Sequence, residues 1–173
     1  DIDQETANCL YTGLATDTGF FRYASTKAGT MRQAALLLEK GVKPHIISEA
    51  MEMKPYAVVR GLADALQTVE MYEGGKVAGM FLDFAATEKL ETTELNLHAV
   101  RVIEGVDVAL FVREQQPGHC RVSMRSKKID VASVAQSLGG GGHVRAAGVT
   151  LDMPFEKAKE TILAALSKAF ETM

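Results

Sequence analysis

An α/β (α+β) fold follows from three features of the 173-residue chain. Through the first seventy residues apolar side chains recur every three or four positions, the period of packed helices. Two short continuous apolar runs, at 77–84 and 106–112, then replace that period, as strands covered on both faces would. From Cys120 to Arg125 apolar and polar residues alternate strictly, which predicts a strand with one polar face. The chain is therefore expected to divide into a helical segment over 1–68 and a mixed central sheet flanked by helices over 69–173, with the change between Gln67 and Gly75.

Each element has its own signal. Ala7, Leu10 and Leu14 predict a first helix from Glu5 to about Leu14, broken by Thr16-Asp17-Thr18-Gly19. Ser25 or Thr26 is expected to cap a second helix with a stripe of Met31, Ala34, Ala35 and Leu38, ended by Gly41. Pro44 opens a third helix where no backbone N–H is needed, followed by Ile46, Ile47, Ala50 and Met51. Pro55 opens a fourth with Val58, Val59, Leu62, Leu66 and Val69. Gly74-Gly75 predicts a hairpin turn ahead of the strand at 77–84. Residues 95–103 read as a helix with Leu95, Ala99, Val102 and Ile103 on one side, and 106–112 as an inner strand. Pro117-Gly118 turns the chain into the alternating strand, whose polar face holds Arg121, Ser123 and Arg125. A short helix over Val131 to Leu138, a loop of four glycines, a strand from Val144 to Leu151 and a helix starting near Pro154 (Phe155, Ala158, Ile162, Ala165, Ala169) complete the chain.

Composition bounds the function. With 47% apolar and 24% charged residues, interspersed, the chain can bury a core and is not disordered. At this length roughly 70% of the unfolded surface can be buried, so neither disulfides nor metals are needed merely to fold. A net charge of −3 excludes a generally basic nucleic-acid coat, so any anion binding must be local. No apolar run approaches the ~20 residues of a membrane span, and no membrane partner is expected. The acidic start, Asp1-Ile2-Asp3-Gln4-Glu5, has neither an initiator Met nor a basic n-region, which predicts a chain starting inside a longer gene product. Cys9 and Cys120 have no CxxC spacing, as expected of reduced thiols in a cytoplasmic protein.

The most informative stretch is Gly139-Gly140-Gly141-Gly142-His143. Four glycines cost backbone entropy. A flexible connector is the plain explanation, but a linker would carry Ser or Asn and would not run straight into His143, Arg145 and a strand. The sharper reading is a loop without Cβ atoms whose N–H groups approach an anion, phosphate above all, with His143 as an added donor. It is neither a Walker A loop nor a dinucleotide fingerprint. A second feature is local charge: Arg113, Arg121, Arg125, Lys127 and Lys128 against Glu114 leave +4 between residues 113 and 128. A solvated strand face would explain it alone. Beside the glycines, an oxyanion site is the better reading, since Arg offers a planar fork and Lys a point charge.

The third feature is Thr16-Asp17-Thr18-Gly19, either a turn stabilised by Asp17 or a carboxylate ligand to a metal. His45, His98, His119 and His143 are too scattered to complete a metal site locally. Asp-Thr-Gly is also the aspartic-protease signature, but there it lies on a strand followed by Ser or Ala, whereas here a helix precedes it and Phe20 follows.

Three stretches together resemble the DHH-family phosphoesterases that carry a C-terminal DHHA1 domain, of the bacterial oligoribonuclease and 3′-phosphoadenosine 5′-phosphate phosphatase type. Tyr11-Thr12-Gly13-Leu14-Ala15-Thr16-Asp17-Thr18-Gly19-Phe20-Phe21-Arg22-Tyr23 is similar to the last motif of the DHH domain. Arg121-Val122-Ser123-Met124-Arg125-Ser126-Lys127 is similar to the family's Arg-Ser-Lys strand end. Gly140-Gly141-Gly142-His143-Val144-Arg145-Ala146-Ala147-Gly148 is similar to the glycine–histidine motif of DHHA1. The Asp-His-His signature and the earlier metal motifs do not occur in this sequence.

The resemblance implies that residues 1–68 are the tail of a DHH domain with connecting helices and that 69–173 are a DHHA1 substrate-binding domain. It implies a metal-dependent phosphoesterase acting on short RNA or nucleotide phosphates, with Asp17 as one ligand to a Mn2+ pair. It also implies substrate binding by Arg125, Ser126, Lys127, Gly140, Gly141, Gly142 and His143. On that reading the chain's first partner is an N-terminal DHH domain, and the chain alone binds without hydrolysing. Leu14, Phe20 and Phe21, if uncovered, would form an apolar patch for a homodimer. The competing reading is a non-catalytic nucleic-acid-binding module resembling the DHHA1-like domain of alanyl-tRNA synthetases.

Overall fold

The computed structural model describes residues 2–23, 25–90 and 97–171. They fall into two compact units, 1–54 and 55–173. The boundary expected at 68/69 lies within the second unit, because the fourth helix packs on the sheet through Ala65.

In the first unit, α1 (Gln4–Asp17) starts at Asp3, whose Oδ1 accepts the Thr6 N–H at 2.8 Å. It packs on α2 (Ala28–Glu39) through Ala7, Tyr11 and Ala15 against Ala34, Leu37 and Val42. The expected stripes were displaced. Ala7 and Ala34 face inward as expected, but Leu10, Met31 and Leu38 of the same stripes stand exposed, and Tyr11, Ala15 and Leu37 are buried in their place. Periodicity identifies a helix but does not choose between adjacent stripes, and alanines let two helix backbones approach closely. The cap of α2 also differs: Lys27 occupies the position given to Ser25 or Thr26, and its N–H donates to Thr30 Oγ1. Gly41, at φ 90°, follows α2 as expected. Pro44 opens α3 (Pro44–Glu52), which buries none of its residues.

Helix α1 runs on through Asp17 rather than stopping near Leu14. Beyond it Gly19, Phe20 and Phe21 all take positive φ, at 58°, 55° and 64°. Two non-glycine residues in this region cost energy. The buried Thr18 hydroxyl offsets part of that cost by donating to Leu14 O at 2.7 Å and accepting the Phe21 N–H at 3.1 Å. Leu14, Phe20 and Phe21 are half-buried against the helical core, so the apolar patch expected for a dimer is partly covered.

The second unit begins with α4 (Tyr56–Leu66). Among the described residues its sheet has six strands: β1 (Glu70–Tyr72), β2 (Val77–Leu82), β3 (Val108–Gln116), β4 (His119–Ser126), β5 (Gly141–His143) and β6 (Ala146–Leu151), ordered β1-β2-β3-β4-β6-β5. Only β2 and β3 pair in parallel. Their connection holds α5 (Phe84–Glu88) and α6 (His98–Arg101), the latter shorter than the helix expected over 95–103; Leu95 lies outside the described residues. Gly74 and Gly75 turn the β1–β2 hairpin, and β2 is buried throughout, as its unbroken apolar run demands.

The two faces of the sheet are covered unequally. One face packs along its whole width on α7 (Val131–Ser137) and α8 (Phe155–Glu171), burying Val108, Leu110, Val112, Val122, Met124, Val149 and Leu151 against Val131, Val134, Ile162 and Leu166. On the other face Ala65 of α4 and Val100 of α6 cover β2 and β3 through Ala78, Met80, Ala109 and Phe111. The β4, β6 and β5 part of that face carries the exposed or half-exposed residues of the alternating strands. No helix among the described residues is long and apolar enough to cross a membrane.

Candidate functional site

The open part of the sheet is built from cross-strand rows. In antiparallel pairing, residues directly opposite point to the same face. Arg125 pairs with Ala146, and Ala146 with His143, so Arg125–Ala146–His143 form one row. Neighbouring strands lie about 4.8 Å apart, which puts the Arg125 and His143 backbones about 10 Å apart with only a methyl group between them. The next row on this face is Ser123–Gly148–Gly141, and the third is Arg121–Thr150. The arrangement is a shelf with cations at its margins and an almost bare floor.

The four glycines are not a free loop, which corrects the sequence expectation. Gly139 turns the chain at φ 84°, and Gly141 to His143 form the edge strand β5. Gly140 donates its N–H to Ala135 O at 2.8 Å, so this amide is already engaged. Each glycine has its own reason. A Cβ on Gly140 would meet Gly148 O at 2.4 Å, and one on Gly142 would meet Ala146 O at 2.5 Å. Gly142 also takes φ 142°, where side chains are disfavoured. Gly141 has nothing within 4 Å of the Cβ position, so only the openness of the shelf depends on it.

Ser126, assigned to the same set, points elsewhere. Strand alternation turns it to the covered face, where it is 5% exposed, and its Oγ accepts the Lys128 N–H at 3.1 Å. Its backbone helps shape the site instead: the Ser126 N–H donates to Arg145 O at 3.0 Å, tying the exit of β4 to the β5–β6 turn. Lys127 follows it, exposed at that end of the sheet, with its N–H on Asp107 O. Arg145 is occupied in holding the turn, its Nη1 donating to Ile129 O at 3.0 Å. Lys128 pairs with Asp107 at 3.1 Å.

Arg125 is exposed and donates through Nη1 to its neighbour's carbonyl, Met124 O, at 3.0 Å, which leaves other donors of its fork outward. Arg121 reaches across β6. Its Nη1 donates to Thr150 Oγ1 at 3.3 Å, and its Nη2 lies 3.8 Å from the Cβ position of Gly148. The chemistry available is anion binding, by two guanidinium groups, an imidazole and a nearby ammonium; the acid Asp152, two residues past Thr150, is engaged by His119 at 2.6 Å. Sequence reasoning singled out Arg121 and Ser123 on the right face but missed Thr150 and the role of Gly148, because register between strands distant in sequence leaves no local signal.

Asp17 lies in the first unit, exposed at the last turn of α1. Among the described residues no group of three or more His, Cys, Asp or Glu side chains is placed to hold a metal ion.

Known proteins supply independent findings. The chain is 34% identical over 171 residues to the bifunctional oligoribonuclease and PAP phosphatase NrnA of Thermus thermophilus, covering 95% of this chain and 52% of that protein. A probable enzyme of the same name from Streptococcus mutans is 32% identical over 152 residues, covering 85% and 48%. The chain thus spans about half the length of the curated relatives it matches. The crystal structure of an exopolyphosphatase-related protein from Bacteroides fragilis superposes with a TM-score of 0.89 at 27% identity, over 96% of this chain and 51% of that one. Residues 74–172, more than half of the chain, match the DHHA1 domain, and to that family the chain belongs.

Proposed function

We propose that this chain is the substrate-holding part of a DHH-type phosphoesterase, and that the open shelf binds the phosphate of short RNA or of a nucleotide. The row Arg125–Ala146–His143 carries the proposal. It sets a planar, permanently charged fork and an imidazole on either side of a small residue, a spacing that lets both reach one phosphate group. Lys127 adds a point charge at the same end, while the glycines keep the floor low enough for close approach. Relatives named as oligoribonuclease and PAP phosphatase favour a nucleotide phosphate over other anions.

These groups bind and orient; nothing among them generates a nucleophile at neutral pH. The family resemblance implies a manganese pair for that step. The described residues do not compose its donor set, since Asp17 stands without two further ligands nearby. Asp17 is accordingly proposed as one ligand of a centre completed by the half of the relatives' length that this chain does not match.

Titrating the chain with 3′-phosphoadenosine 5′-phosphate and with a short RNA tests the proposal. Removing a charge-assisted hydrogen bond costs about 1.5–3 kcal/mol, so Arg125→Ala should weaken binding by at least about tenfold, and His143→Ala should weaken it measurably. Binding unchanged in both variants would remove the shelf as the site. With manganese present the chain should show no turnover; hydrolysis that Asp17→Ala abolishes would overturn the proposed division of labour.

A further inference from the structure

The shelf holds a second cationic position that the reading above does not use. Arg121 is exposed, and its guanidinium is held by one side-chain hydrogen bond across the strand. It lies over β6 between Thr150 Oγ1, 3.3 Å from Nη1, and Gly148, whose Cβ position is 3.8 Å from Nη2. Gly148 has no side chain to obstruct it. A neutral hydroxyl takes one of the five N–H donors of the fork and leaves the rest free. Along β6, Gly148 is two residues from Ala146, the centre of the Arg125–His143 row, which is about 7 Å in a strand. That is comparable to the separation of phosphates on either side of one nucleoside. The row of Gly148 itself, Ser123–Gly148–Gly141, carries a single hydroxyl and no larger side chain, so nothing on that floor obstructs a sugar spanning the two positions.

We infer that Arg121, steadied by Thr150, forms a second phosphate subsite, so that the shelf recognises one nucleoside flanked by two phosphates. This rests on the proposed binding of phosphate by Arg125 and His143. A 3′,5′-bisphosphorylated nucleotide and the 5′ end of a phosphorylated RNA share that chemistry, whereas a nucleoside monophosphate lacks it.

The experiment titrates the full chain with adenosine 5′-monophosphate, 3′-phosphoadenosine 5′-phosphate and a 5′-phosphorylated RNA trinucleotide. Arg121→Ala should weaken the bisphosphate and the trinucleotide by about tenfold and leave the monophosphate unchanged. For the trinucleotide the slope of log affinity against log salt should fall by about 0.7, one contact's worth on a single strand. Thr150→Val keeps the β-branched shape and should produce a smaller loss with the same ligand pattern. A loss confined to the trinucleotide would assign the subsite to RNA alone and overturn the shared recognition. Equal loss for all three ligands, or no loss for any, would overturn the subsite. Arg125→Ala separates the two claims: it must weaken all three ligands, and if it weakens none, the underlying reading fails instead.

Discussion

Replacing Gly142 by alanine tests how the edge strand supports the shelf. The added Cβ would lie 2.5 Å from Ala146 O and 2.6 Å from Ala147 Cα, against about 3.4 Å for ordinary contact. Strand β5 would therefore have to move by about 0.9 Å, and backbone atoms rather than a yielding side chain stand in the way. The backbone at φ 142° adds strain on the order of 1–3 kcal/mol. Weakening a ladder hydrogen bond adds about 1 kcal/mol. The total, roughly 2–4 kcal/mol, exceeds what a three-residue strand with one neighbour can absorb, since β5 buries none of its own residues. The cost should thus appear as local opening of β5 while the core on α7 and α8 stays closed. Hydrogen exchange should accelerate at residues 141–148 far more than in β3, and affinity for 3′-phosphoadenosine 5′-phosphate should fall at least as far as in His143→Ala. Gly29→Ala, in a helix with nothing within 4 Å, serves as the control and should bind normally. Normal exchange and normal affinity in Gly142→Ala would refute the claim that close strand approach holds His143 in its row.

Two further outcomes follow from the titratable groups. Burial, with the Glu114 carboxylate nearby, pushes the Cys120 thiol up to about 11, while Cys9 is exposed. Since the thiolate is the reactive form, iodoacetamide at pH 8 should label Cys9 alone in the folded chain and both cysteines after denaturation; two labels in the native state would contradict the buried placement. Glu70 is held below the usual carboxylate range chiefly by the hydrogen bond from Lys159, at 2.7 Å, and then by that from Tyr72. A lowered folded-state pKa means that the pairing stabilises above the ordinary glutamate value and is lost as pH falls through the lowered one. The stability difference between the wild type and Lys159→Met should accordingly be largest near neutrality and shrink in acid. A difference independent of pH would mean that Lys159 acts only by packing over Phe81, 4.3 Å from its ring centroid.

Local chemistry made most elements legible in the sequence, and the same chemistry explains where legibility stopped. Pro44, Gly41, Gly74-Gly75 and Pro117-Gly118 constrain their own φ angles or hydrogen bonds, so their turns and helix ends could be read residue by residue. The unbroken apolar run of β2 and the alternation of β4 state their burial directly, and Arg121, Ser123 and Arg125 were therefore assignable to one face. The inward face of α1 and α2 was legible only in part, because Ala7 and Leu10 satisfy the same period and only the partner helix leaves Ala7 covered and Leu10 exposed. Four consecutive glycines signalled a special backbone without saying which. Whether they formed a loop or an edge strand depended on Gly148 and Val149, whose proximity arises from pairing.

The sequence by itself determined the mixed class of the fold, the change from helix to sheet, the cationic strand and the glycine–histidine stretch, since each depends on residues close together in the chain. Tertiary structure alone decided that Arg125 and His143 share a row and that Arg121 folds over a glycine toward Thr150. The physical reason is register: a strand's side chains alternate with a period of two, and a slip of one residue between β4 and β6 would put His143 and Thr150 on the face opposite Arg125 and Arg121.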